Sequence, residues 1–259
     1  METIMELLLQ RSKTTSGTLH FLDDTGAVKR QMTYAQLAKK AQRFANVLLS
    51  LGLQGGGKDI VVTNFEDQET HILLFWACCF GTESQRVRNN FTQPFSAGIP
   101  VCPTPPFHPD ESRQALLLNH LQVLFHRPTF ISHKQTLAVI EGLVPGFKVL
   151  DVEAVVGSSV THEVVHESKI YPLPGYSGTD IAALMLTSGS TGNSKAVVLL
   201  HSKILSAVRG KTIKLDTLPE AVFLNWINFD HVANVTESHL HAVWAGASLV
   251  PLPLKECIH

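Results

Sequence analysis

Between residues 18 and 152, short runs rich in β-branched and other apolar residues alternate with longer segments whose apolar positions recur at helical spacing. This alternation restricts the fold more than any other feature of the chain. Residues 18–23 read as a strand that turns at Asp24-Thr25-Gly26. Thr33 with Gln36 forms a capping-box start, and Leu37, Ala41, Phe44, Ala45 and Leu48 then line one helical face until Gly52 stops it. After Gly55-Gly56-Gly57 comes a strand-like run, Ile60-Val61-Val62-Thr63, and an apolar helix over 70–80. A strand at 99–102, a helix over 111–124, a strand at 129–132, a helix to Leu143 and a strand at 147–152 continue the series. The pattern predicts an α/β fold of mostly parallel sheets flanked by helices. At 259 residues, 44% hydrophobic and 17% charged, the chain is long and apolar enough for one large core or two smaller ones.

One stretch breaks the rhythm. Residues 81–96, GTESQRVRNNFTQPFS, put a polar, unperiodic insert between the helix ending at Phe80 and the strand at Ile99. They read as a loop, either a surface excursion, which costs little closure entropy, or a translated, unspliced intron.

Charge and cysteine content narrow the partners. With 21 basic and 22 acidic side chains, the net charge of −1 provides no long-range field for nucleic acid or an anionic membrane, so neither is expected as a partner. Lys203, Arg209, Lys211 and Lys214 read as an exposed helix face, since Asp216 and Glu220 follow at once. The four cysteines show no CxxC pairing, and Cys78-Cys79 lie in an apolar run where free thiols act as small hydrophobes. Residues 1–13 lack the basic-then-apolar order of a secretory signal, and a reducing cytoplasm is the expected setting.

The segment that points to chemistry is IAALMLTSGSTGNSKAVVLL, residues 181–200. Two strand-like runs flank a loop of hydroxyls, glycines and one lysine. Glycine lets backbone N–H groups approach a polyphosphate closely, and consecutive N–H groups form an anion-binding nest. Thr187, Ser188, Ser190 and Thr191 add hydroxyl donors, and Lys195 adds a mobile point charge. The GxxxxGK[ST] loop of kinases and GTPases is excluded, because Lys195 follows Gly192 by three positions and opens a second strand instead of a helix.

The run LTSGSTGNSKAV resembles the phosphate-loop signature of the adenylate-forming (AMP-binding) superfamily, with Ser194 where a proline is usual and Ala196 where a glycine is usual. FWACCF, AGIPVCPTPPFHPD and NWINFDHVAN look most like adenylation domains of fungal nonribosomal peptide synthetase-like enzymes. The resemblance implies ATP with Mg2+, contacted by Thr187, Ser188, Gly189, Ser190, Thr191, Gly192 and Lys195, with Lys195 and His231 as the catalytic candidates. It implies attack of a small carboxylic acid on the α-phosphorus, then transfer of the acyl group to the thiol of CoA or of a carrier protein's phosphopantetheine arm.

By the same resemblance Asp230 and His231 border the carboxylate pocket, with Asp230 available to meet an ammonium group and an aryl or keto acid equally admissible. A helix-start histidine that is only hydrogen-bonded locally is the alternative for His231. A zinc site from His231, Glu237, His239 and His241 is disfavoured, since Glu237 and His241 at i, i+4 read equally as a solvated pair and His239 points elsewhere. The resemblance also implies that residues 1–259 are a truncated N-terminal portion of an adenylation domain, without the C-terminal lid and weak or inactive alone. A non-catalytic nucleotide-binding or interaction module docking on a full-length synthetase is the competing expectation.

Overall fold

The computed structural model describes residues 1–88, 91–107, 110–156, 177–187 and 194–252, with backbone alone described over 82–97. The chain opens with α1 (Ile4–Thr14), the antiparallel pair β1 (Thr18–Leu22) and β2 (Val28–Thr33), and α2 (Tyr34–Ser50). The predicted capping box of α2 is present in both directions between Thr33 and Gln36. Then follow β3 (Val61–Asn64), α3 (Gln68–Phe80), β4 (Thr82–Arg88), β5 (Phe91–Ala97), β6 (Val101–Thr104) and α4 (Glu111–Leu124). Next come β7 (Thr129–Ser132), α5 (Lys134–Leu143), β8 (Lys148–Asp151), α6 (Val152–Val156), β9 (Ile181–Leu186) and β10 (Ala196–Leu200). The last described elements are α7 (His201–Leu215), β11 (Val222–Asn225), a π-helical turn (Ala233–His239), α8 (Leu240–Ala245) and β12 (Ser248–Pro251).

The strands form two principal sheets. One has the order β10-β9-β6-β3-β7-β8, parallel except that β10 returns antiparallel along β9. The other has the order β11-β12-β1-β2, with β2 antiparallel.

The six-stranded sheet is covered on both faces, and the period of two assigns its side chains. Val61, Val101, Ile131 and Ala183 point into one core, while their neighbours Val62, Cys102, Phe130 and Leu184 point into the other with Leu118 and Leu121 of α4 and Leu137 and Ile140 of α5. The first core reaches Leu19 and Leu249 of the four-stranded sheet through α1, α2 and α3. Every residue of α3 from His71 to Phe80 is buried, which explains why its sequence is apolar all round. Burial also keeps Cys78 and Cys79 as thiols, with that of Cys78 pushed up to about 12.

The polar segment read as a loop over 81–96 is instead a β-hairpin, paired in register from Thr82↔Ala97 to Arg88↔Phe91. Sequence periodicity missed it because its pairing is antiparallel backbone hydrogen bonding with no apolar alternation to mark a buried face. The excursion closes on itself: Ile99 donates its N–H to the carbonyl of Cys78 at 2.9 Å, joining the strand after the insert to the helix before it.

Candidate functional site

In a doubly wound sheet, ligand-binding loops sit beyond the carboxyl ends of the parallel strands. β9 ends there with Leu186 and Thr187, the chain reverses, and β10 begins after Lys195 with Ala196 paired to Leu186. The mouth of the intervening loop is closed by Thr187 and Lys195. Thr187 donates its N–H to the Lys195 carbonyl at 2.9 Å, its hydroxyl lies 3.3 Å from the same carbonyl, and the Lys195 N–H donates to that hydroxyl at 3.4 Å. With its backbone engaged, Lys195 is exposed and its ammonium makes no ion pair among the described residues. Ser188, Gly189, Ser190, Thr191 and Gly192 lie outside the described residues.

Asp230 and His231 occupy the turn between β11 and the π-helical turn. Asp230 is partly buried and its Oδ1 has no hydrogen-bond partner among the described residues. Burial raises its pKa, against smaller opposing effects of its backbone hydrogen bond and of His231. Its charge is felt by Cys102 on β6, whose thiol is pushed up to about 12 mainly by burial and secondarily by Asp230. Cys102 itself sits on β6, the strand paired with β9.

His231 is exposed, and its Nδ1 accepts the N–H of Ala233 at 3.1 Å, as expected of a histidine capping a helix start. Nε2 then carries the proton and remains for another partner. Beyond it, Asn234 is buried and donates to Gln68 Oε1 at 3.0 Å and to the Ile227 carbonyl at 2.6 Å, while Gln68 Nε2 donates to the Leu252 carbonyl at 3.0 Å. This network ties α3 to the carboxyl ends of β11 and β12. Asn225, which ends β11, joins it by donating to Gln68 Oε1 at 3.4 Å and to the Ile227 carbonyl at 3.0 Å; a polar residue ending an apolar strand is the signal by which the sequence could have marked it.

The i, i+4 reading of Glu237 and His241 as a solvated pair is corrected. Glu237 is exposed and ion-paired to Lys211, but His241 is buried, with Nε2 3.2 Å from the Thr217 hydroxyl. The π-helical turn is the reason, because its i→i+5 bonding adds a residue to the repeat and rotates the next helix, α8, off the α-helical register. His239 is also buried, accepting the Trp76 Nε1–H at 2.8 Å, and burial lowers its pKa to about 3. Among the described residues no group of three His, Cys, Asp or Glu side chains stands together as a metal site. Of the four basic residues read as an exposed helix face, Lys203, Arg209 and Lys214 are exposed on α7, while Lys211 is partly buried.

Comparison with known proteins shows the family and the fold. Residues 95–257 match the family model described as AMP-binding enzyme. Over its whole length the chain is 30% identical to microperfuranone synthase of Emericella nidulans, and over 94% of its length it is 32% identical to the nonribosomal peptide synthetase btyA of Aspergillus terreus. The chain spans 25% of each of those proteins. Among solved structures, McyG A-PCP complexed with phenylalanyl-adenylate superposes with a TM-score of 0.79 at 23% identity, over 98% of this chain and 37% of that one. The adenylation domain of a keto acid-selecting NRPS module bound to keto acyl adenylate gives 0.76 at 22% identity, over 100% of this chain and 44% of that one. At these identities the likeness establishes the fold.

Proposed function

Because this chain belongs to the AMP-binding enzyme family, we propose that it contributes the ATP-phosphate-gripping part of a site that activates a small carboxylic acid as its acyl-adenylate. The observation that carries the reading is the closed mouth of the loop, where Thr187 and Lys195 hold each other's backbone and leave the Lys195 ammonium facing solvent. A hydroxyl, a free ammonium and a glycine-rich stretch between them form a donor set suited to a polyphosphate. ATP would enter with Mg2+ on its phosphate oxygens, and Lys195, with Ser188 to Gly192 alongside, would stabilise charge as the carboxylate attacks the α-phosphorus and pyrophosphate departs. Positioning and charge stabilisation are the chain's contribution to such a step.

Asp230 and His231 would border the acid. An ionised Asp230 would pair with the ammonium of an amino acid, and a protonated one would donate a hydrogen bond to an aryl or keto acid. His231 would offer its Nε2–H to the carboxylate. The acyl group would pass to the thiol of CoA or of a carrier protein's pantetheine arm. The setting proposed is a fungal secondary-metabolite enzyme in the cytoplasm, and no described helix is long and apolar enough to cross a membrane.

Carboxylate-dependent exchange of labelled pyrophosphate into ATP, run beside calorimetry of ATP binding, tests this. Exchange above background with any amino, aryl or keto acid supports it. Binding without exchange would favour a non-catalytic nucleotide-binding module docking on a synthetase, a reading helped by Val222, Leu224 and Trp226, exposed in a row along the sheet-edge strand β11 and its exit. Neither binding nor exchange would overturn both.

A further inference from the structure

One peptide unit at the loop is held from both sides. The carbonyl of Ser194 accepts a hydrogen bond from Nε2 of His120, on the flank of α4, at 2.5 Å. The N–H of the same peptide unit, that of Lys195, donates to the Thr187 hydroxyl at 3.4 Å. A carbonyl oxygen only accepts, so His120 must carry its proton on Nε2, and the imidazolium would donate there equally well. A peptide plane has two soft dihedrals beside it, and fixing its carbonyl and its amide to separate elements removes the freedom to flip. The side chain that leaves from the next Cα is that of Lys195, so the plane's orientation sets the direction in which the ammonium is presented.

His120 stands 74 residues before Ser194, and α4 anchors it through its buried neighbour Leu121 and through Leu118. The hydrogen bond therefore ties the loop to a helix held in the core by Leu118 and Leu121. We propose that His120 is a positioning residue: it clamps the Ser194–Lys195 peptide and so preorganises Lys195 for a polyphosphate. The clamp is a statement about this chain's geometry, and its purpose rests on the ATP reading of the loop.

Two measurements on the full chain separate the clamp from its purpose. Trypsin cleavage after Lys195 in the nucleotide-free chain reads the clamp directly. His120→Ala should raise it about five- to tenfold, the population opened by losing one hydrogen bond, with cleavage after the exposed Lys58 unchanged. His120→Gln, whose amide reaches the same carbonyl, should keep the parental rate. Equal rates after Lys195 in all three proteins, at equal melting temperature, overturn the clamp. Calorimetry with ATP and Mg2+ then reads the purpose: His120→Ala should weaken binding about five- to tenfold, His120→Gln much less, and His120→Ala should add nothing once Lys195 is alanine. An unchanged dissociation constant in His120→Ala, or full additivity with Lys195→Ala, overturns the positioning role. A trypsin contrast in a chain that never binds ATP would uphold the clamp and remove the nucleotide reading instead.

Discussion

Thr187 and Lys195 face each other across the mouth of the loop, exchanging a 2.9 Å N–H to carbonyl bond and a 3.4 Å N–H to hydroxyl bond. The pairing continues the β9–β10 ladder by one step, so whatever the loop grips is held on the end of a two-stranded ribbon that is itself part of the larger sheet.

That relationship separates two kinds of damage at the mouth. Lys195→Ala keeps the backbone pair and deletes only the charge, so ATP binding should weaken by about 1.5–3 kcal/mol, the range for a hydrogen bond to a charged group, with the melting temperature unchanged. Thr187→Val removes the hydroxyl that receives the Lys195 N–H and should weaken binding less while lowering the melting temperature slightly. Calorimetry and thermal melts on the two variants check the contrast, and an unchanged dissociation constant for Lys195→Ala counts against its role.

Asp230 carries a pKa raised by burial, which gives its effect on stability a definite sign. A carboxyl whose folded pKa lies above its unfolded value opposes folding once ionised, and the penalty grows as pH rises from about 4 through the folded pKa. Asp230→Asn should therefore raise the melting temperature at pH 7, with the gain vanishing near pH 3. The same substitution should reduce carboxylate-dependent pyrophosphate exchange. Melts that shift equally at both pH values would show that the ionised carboxylate is not under strain.

The buried histidines predict acid sensitivity. Burial holds His239 near pKa 3 and His71 near 4, below the ordinary value of about 6.5. The unfolded chain takes up protons that the folded chain refuses, so stability is complete above about pH 6.5 and falls continuously toward pH 4. His239→Gln, which retains an acceptor for the Trp76 indole, should flatten the melting-temperature slope between pH 6.5 and 4 by about one proton's worth. Trp76→Phe should cost about 1–3 kcal/mol at pH 7 by leaving His239 Nε2 buried without its donor.

The hairpin supplies a deletion test. Its ends are paired at Thr82↔Ala97 and the join beneath it is already made by Ile99 N–H on the Cys78 carbonyl. Removing residues 81–96 gives up the approach of β4 to α2 but keeps this join, so the chain should stay folded, within about 1 kcal/mol of the parent in denaturant unfolding, since closure entropy changes little with loop length. A larger loss would mean that the hairpin contributes packing to the body of the protein. Sequencing the spliced transcript asks the separate question of its origin: a messenger pool that carries the insert uniformly would exclude an intron.

The sequence alone marked most strands and helices between residues 18 and 152 in their order, the β4–β5 hairpin excepted, because local rules dictate them. Thr33 and Gln36 announced the start of α2, α4 was delimited at Glu111 and Leu124, and alternating residues such as Val61 and Val62 implied a sheet with two covered faces. The run from Thr187 to Lys195, with glycines, hydroxyls and a lysine between two strands, is the sequence feature on which the proposed phosphate role rests. Tertiary structure decided what depends on partners distant in sequence. Pairing of β4 with β5 leaves no apolar mark, and the burial of His241 comes from one π-helical turn that no residue spacing reveals. The approach of Asp230 to Cys102 and of His120 to Ser194 exists only once two sheets and a helix have packed, because a hydrogen bond or a shifted pKa is set by which surfaces meet and how far water is excluded.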